Sequence, residues 1–313
     1  MHKLKALALT FFAGTAITNA QFTETINSNR PGQSQGAFAV GTGVYQLEAG
    51  GFYGNDTHEL RQTDTDLYGA NYMIRAGLLT DILELSIQGR YQSEETTIFQ
   101  GGQNRVYERN NFPFNTFGAK LLLYDPYKNG DNRREVNLKS WDANQRFDWR
   151  RLIPAISLYG GANITLQEDN PYRFEGENKY TPQVTLITQH NWGRWVWVMN
   201  FTAEKFTETY SNYEFIGTLT HAFNPKLAVF GEYQAIIGDL YADDIFRAGG
   251  AYLLTDYLQI DVAGLTNIKN TPSRWQVQAG LSVRLNFHKD TEFKNLSKDG
   301  DQRKARTQQQ YDF

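Results

Sequence analysis

Residues 275–287, WQVQAGLSVRLNF, are apolar or small at every odd position (Trp275, Val277, Ala279, Leu281, Val283, Leu285, Phe287) and polar or glycine at every even one (Gln276, Gln278, Gly280, Ser282, Arg284, Asn286). A period of two is that of a β-strand whose faces meet different solvents. The rhythm recurs. In LELSIQGRY (83–91), Leu83, Leu85, Ile87, Gly89 and Tyr91 oppose Glu84, Ser86, Gln88 and Arg90, and RWVWVMNFTAE (194–204) sets Trp195, Trp197, Met199, Phe201 and Ala203 against Asn200, Thr202 and Glu204. Twelve such segments run along the chain, at about 44–53, 67–78, 83–92, 114–124, 154–165, 182–190, 194–204, 212–222, 226–236, 245–254, 257–264 and 275–287.

After residue 20 the chain holds no run of 18 apolar residues, so strands are its only means of crossing a bilayer. An even strand count is what a closed, antiparallel up-and-down transmembrane β-barrel requires, and about twelve strands are expected here. A soluble barrel or sandwich would show the same alternation. Length separates them: Trp275 to Phe287 spans about 40 Å, which a tilt of about 45° projects to about 28 Å, close to an apolar band of about 25 Å. Aromatic residues stand at both ends of the apolar faces, Tyr53, Tyr91 and Trp275 on one rim and Trp195, Phe223, Tyr257 and Phe287 on the other. Rings prefer the headgroup level, so two rims read as two girdles. A soluble secreted β protein is the weaker alternative.

Connections after the second, sixth, eighth and tenth segments are tight, whereas those after the odd-numbered segments are expected to run from about eight to about twenty residues. Tight turns mark the periplasmic side of such a barrel and long loops the outside. The exception is 125–153, a charged stretch with Trp141 and Trp149 that falls on the tight side and reads as a periplasmic excursion or an extra mispaired strand, with a lumenal plug or a docking surface as the alternative.

Residues 1–20, with Lys3 and Lys5, an apolar run through Phe11 and Phe12, and Thr18 and Ala20 at the end, read as a signal peptide. The expected organisation is 1–20 signal, 21–43 a periplasmic or lumenal segment, 44–287 the barrel and 288–313 a polar periplasmic tail. The formal net charge is -3 with no cysteine, which argues against nucleic acid as a partner and excludes disulfides and thiolate metal sites.

On the inferred inward face lie Glu48, Arg75, Glu84, Arg90, Lys120, Glu204, Glu232, Arg247, Asp261 and Arg284. These acids and bases are equal in number and could close the lumen by ion pairing or form a selective constriction. His58, His190, His221 and His288 are coupled to no serine at a recognisable spacing, so no catalytic residue is assigned. Asp239, Asp243 and Asp244 lack the spacing of a calcium loop and read as a solvated outer loop; no metal or cofactor is expected.

Residues 246–287 resemble the closing part of a Gram-negative outer-membrane family labelled MetA-pathway of phenol degradation, or simply transporter. Asn29-Arg30-Pro31-Gly32 and Gly43 to Glu48 resemble its opening pattern, and Ile74-Arg75 with Leu83-Glu84-Leu85 its next hairpin. The Ala20/Gln21 junction is similar to flavobacterial export signals. The resemblance implies a barrel in the outer membrane and a role in small-molecule uptake. Leu281, Val283, Leu285 and Phe287 resemble the insertion signal read by the barrel-assembly machinery. The expected function is therefore a passive channel for small molecules, with no enzyme activity. The alternative is a non-transporting subunit of an envelope complex. Its expected partners are outer-membrane lipid and other envelope proteins, met through 125–153 and 288–313.

Overall fold

The computed structural model describes residues 25–100, 103–128, 149–174 and 176–287. The leader, residues 129–148 of the expected excursion, and the tail 288–313 lie outside the described residues.

Twelve strands form one closed barrel: β1 Val44–His58, β2 Thr63–Gly77, β3 Leu83–Gln100, β4 Gln103–Tyr124, β5 Ala155–Ile164, β6 Tyr180–Trp192, β7 Trp195–Glu204, β8 Asn212–Ala222, β9 Leu227–Gly238, β10 Ala242–Thr255, β11 Leu258–Asn267 and β12 Ser273–Asn286. Each strand pairs antiparallel with its neighbours in sequence, and β1 closes the ring on β12 from Val44 opposite Asn286 to Thr57 opposite Ser273. Closure leaves no free edge along the shared length, so the backbone groups of each strand are satisfied by the next. In β12 the even positions Gln276, Gln278, Ser282 and Arg284 are buried while Trp275, Val277, Leu281 and Leu285 are exposed. The chain is thus apolar outside and polar inside, the reverse of a soluble barrel.

Outward rings meet in cross-strand pairs at both rims: Tyr45 with Phe287 at 5.9 Å and Tyr53 with Trp275 at 5.8 Å between centroids. Among the described residues no helix is long and apolar enough to cross a membrane, which says nothing of crossing by strands.

At the turn end the connections 78–82, 193–194, 223–226 and 256–257 are short, as expected. Gly193, at φ 66°, permits the tight β6–β7 turn. The connection 125–154 is the long one here; its described ends are tied beneath β6, with Trp192 Nε1 donating to Arg151 O at 2.7 Å and Asn191 N donating to the Tyr127 hydroxyl at 2.6 Å.

The loop end differs from the expectation. Strands β3 and β4 run on to meet across 101–102, and β1 and β2 across 59–62, while 239–241 and 268–272 are also short, so that 165–179 and 205–211 are the loops that approach the expected length. Two physical reasons account for this. Beyond the aromatic rim both faces of the hairpin meet water, so the alternation that marks a strand fades, as in Thr96-Thr97 and Arg105 to Asn110. Within β4, Arg90 of β3 faces Phe114 while Gln92 faces Asn111, so β4 carries an extra residue at Phe112-Pro113. Such a bulge accepts a proline, which has no N–H to give, and reverses the parity of everything beyond it. Asp243 and Asp244 likewise lie within β10, where the sequence had suggested a loop.

Candidate functional site in the barrel lumen

Residues 25–43 enter at the turn end, where Ile26 N donates to Asp256 O at 2.8 Å, rise into the lumen and return to the turn end at Thr42, and inward side chains from around the ring hold them there. Glu48 of β1 accepts from the backbone N–H groups of Asn29 and Arg30 at 3.3 and 3.2 Å. Glu232 of β9 accepts from those of Gln33 and Ser34 at 3.0 and 3.3 Å. Asn200 of β7 pairs with Gln35 in both directions, and Gln189 of β6 accepts from Ala37 N at 2.9 Å. Lys120 of β4 donates to the carbonyls of Gly36 and Phe38 at 2.9 and 3.0 Å, and Ser157 of β5 to Ala37 O at 2.6 Å. Glu84 of β3 takes Val40 N at 3.0 Å, and Asp81 takes Thr42 N at 2.9 Å. A segment without a sheet partner thereby finds side-chain partners for its backbone.

Arg30 is its anchor. Its Nε and Nη2 reach the two carboxylate oxygens of Asp261 at 3.2 and 2.9 Å, a fork geometry that fixes direction as well as distance. The guanidinium lies over Gly50 and Gly280, a cross-strand pair; a Cβ there would stand 2.2 and 2.4 Å from Nη2. Gly32 is equally constrained, since a Cβ would stand 2.6 Å from Glu232 Oε2. The Arg-Pro-Gly stretch and the two inward glycines are therefore one device.

The ten inward charges sort into groups. Glu48, Arg75, Glu84 and Lys120 form a buried cluster: Arg75 gives Nε and Nη2 to Glu84 at 2.8 and 2.9 Å and Nη1 to Glu48 at 3.2 Å, and Lys120 reaches Glu84 at 3.2 Å. Arg247 pairs with Glu232, which also accepts from the Thr218 hydroxyl at 2.7 Å. Asp261 is held by Arg30, and Arg284 donates to Thr25 O at 2.8 Å. Arg90 lies 3.7 Å over the Phe52 ring and Glu204 accepts from Asn212 Nδ2 at 3.4 Å.

Sequence reasoning missed Arg30, and with it the fact that the carboxylates serve the segment's N–H groups as much as the cations. The signal was present: Gly280 is the one inward position in 275–287 without a polar side chain. It also missed a second tier at the loop end, where Arg274 forks onto Asp56 at 2.7 Å, Arg109 pairs with Glu94, and Lys269 approaches Asp243 at 3.7 Å. Asp239 accepts from Ser211 N at 2.9 Å and Asp244 from the Tyr233 hydroxyl at 2.6 Å, so the three aspartates serve separate partners. Of the outer histidines, His190 meets Leu152 O at 3.0 Å and the His221 ring lies 4.2 Å from that of Trp195.

Between the segment and the loop end remains a cavity of about 630 Å³. Arg30, Gln33 and Gln35 form its floor, and Arg90, Glu204 and Glu214 are among its walls. The loop 165–179 reaches it through Tyr172, whose ring lies under the Arg109 guanidinium at 4.8 Å. Burial, with Glu94 nearby, pushes the Tyr172 hydroxyl up to about 12.

The profile of the family described as "Putative MetA-pathway of phenol degradation" matches residues 28–285, nearly the whole of the described barrel and its internal segment. The chain belongs to this family. An outer membrane channel from Pseudomonas putida F1 is similar in structure, with a TM-score of 0.53 at 11% identity, over 83% of this chain and 100% of that one. The transport unit of the autotransporter AIDA-I from Escherichia coli aligns at a TM-score of 0.48 and 9% identity, over 84% of this chain and 93% of that one. At 11% identity, the likeness to the channel speaks to the fold alone. No curated protein matches the sequence.

Proposed function

We propose that the protein is a passive channel for small molecules in the bacterial outer membrane, narrowed by its own N-terminal segment. The observation that carries this reading is the inverted barrel: an apolar outer band bounded by aromatic pairs encloses a polar lumen that holds a cavity of about 630 Å³. Family membership and the likeness to an outer-membrane channel fold support it. Transport would be driven by the solute gradient, and the reading assigns the protein no catalytic step. The inward charges would select solutes by sign and hydrogen bonding.

Single-channel recording in a planar bilayer tests this, using the wild type and a variant lacking residues 25–43. A small steady conductance that rises in the variant is expected. Silence in both would overturn the channel reading and favour a structural subunit, a role that the segment's many contacts inside the lumen would also serve.

A further inference from the structure

Ion pairing accounts for most of the charges that line the cavity. Arg30, Glu48, Asp56, Glu94, Arg109 and Lys205 each have an opposite charge at 4.0 Å or less, as do Arg247 and Arg274. Among the described residues, Arg90, Glu204 and Glu214 do not. Arg90 gives Nη2 to Gln276 Oε1 at 3.1 Å and stacks on Phe52, while its buried Nε has no hydrogen-bond partner. Glu214 accepts from the Gln234 amide, and Glu204 has only the 3.4 Å contact from Asn212.

These three groups are not scattered. Glu214 stands opposite Thr202 and Asn212 opposite Glu204, so both carboxylates sit on the β7–β8 pair, one step apart on the inward face. Arg90 is on β3, four strands from Glu204 and five from Glu214 in a ring of twelve, and hence toward the far wall. Strands about 4.8 Å apart and tilted by about 45° give a ring about 25 Å across, and inward side chains reduce the gap to on the order of 10 Å. All three residues are half-buried, and a charge partly withdrawn from water without a counter-charge is disfavoured, so a ligand bearing both signs would complete both poles at once.

We propose that the cavity binds short peptides as zwitterions, with the ammonium group at Glu204 and Glu214 and the terminal carboxylate in the fork of Arg90. An extended chain advances about 3.5 Å per residue, so a tripeptide spans the gap. This deepens the channel reading and rests on it for its physiological meaning. The site's chemistry is readable separately.

Titration calorimetry on the full barrel in detergent, with triglycine, N-acetyl-triglycine and triglycine amide as probes, decides the matter. Triglycine is expected to bind, and each blocked form about tenfold more weakly, the loss expected for one charge-assisted contact. Acetylation should make no difference in Glu204→Gln/Glu214→Gln, nor amidation in Arg90→Gln. Because the probes are altered rather than the protein, the wild-type comparison stands even where a variant folds poorly. Equal binding of all three peptides, or binding of none, overturns the proposal. A conducting barrel that ignores triglycine refutes the peptide site alone, whereas a silent barrel that binds it refutes only the channel.

Discussion

Replacing Arg30 by alanine should release the internal segment from the barrel without unfolding the barrel itself. In the docked state Asp261 has a fully buried side chain, and its charge is met by the Arg30 fork. In Arg30→Ala the docked segment would cover an aspartate without its cation, whereas an undocked segment would expose that aspartate to lumenal water. A buried carboxylate deprived of its partner costs about 3 to 5 kcal/mol, so docking should weaken by at least about 3 kcal/mol. That corresponds to about a hundredfold rise in the open population. Amide hydrogen exchange at Gln33, Ser34 and Ala37 reads it directly, since their N–H groups are held by Glu232 and Gln189 only while the segment is docked. These amides should exchange about a hundredfold faster while strand amides are unchanged. The double variant Arg30→Ala/Asp261→Ala removes the stranded charge and should exchange more slowly than Arg30→Ala. If the double variant exchanges as fast as the single one, Asp261 is not the charge that holds the segment and the reasoning fails.

Other perturbations probe the same architecture. Gly280→Ala places a Cβ 2.4 Å from both Arg30 Nη2 and Ala49 O, so it should speed exchange in the segment as Arg30→Ala does and also lower barrel stability by about 1 to 3 kcal/mol, measured by denaturant unfolding. Glu84→Gln leaves Arg75 and Lys120 with Glu48 as their one nearby carboxylate among the described residues and should cost about 3 to 5 kcal/mol in the same assay, with part recovered in Glu84→Gln/Lys120→Met. Because the Tyr172 hydroxyl is raised from 10.0 to about 12, its neutral form is favoured in the folded state; the contribution is complete below about pH 10 and is lost as pH rises through about 12. Limited proteolysis of loop 165–179 should accelerate over that window in the wild type and show no such step in Tyr172→Phe.

The barrel was legible because lipid imposes a pattern. Every strand that crosses the apolar band carries the two-residue rhythm, which is why 275–287 reads plainly and why all twelve segments correspond to strands. The same cause sets the limit of legibility. Above the rim water bathes both faces, and the ribbon of Glu95 to Phe99 against Asn104 to Glu108 has no reason to alternate. Pro113 compounds this by reversing parity at a bulge, so Arg109 faces the cavity from an odd position while Lys120 faces the lumen from an even one. The inward charges could be named from register, but their partners could not, because Asp261 and Arg30 are 231 residues apart.

The internal segment follows from the strand count. A ring of eight strands can be filled by its own side chains and one of sixteen leaves a channel, whereas twelve lie between and leave a lumen too wide for inward side chains alone to fill. The chain resolves this by folding its own segment inside, but such a segment brings backbone N–H and C=O groups that have no sheet to join. Purely apolar inward side chains would leave those groups unsatisfied, and purely cationic ones would serve only the carbonyls. The lumen instead offers both: Glu48, Glu84 and Glu232 take the N–H groups, and Lys120 and Ser157 take the carbonyls. Each of those carboxylates also has a cation beside it, so its charge is balanced whether or not the segment is docked. Asp261 is the exception, since its cation, Arg30, arrives with the segment itself. A segment held mainly by balanced groups can leave without stranding many charges, and the single contact that does strand one is the point at which its departure can be controlled.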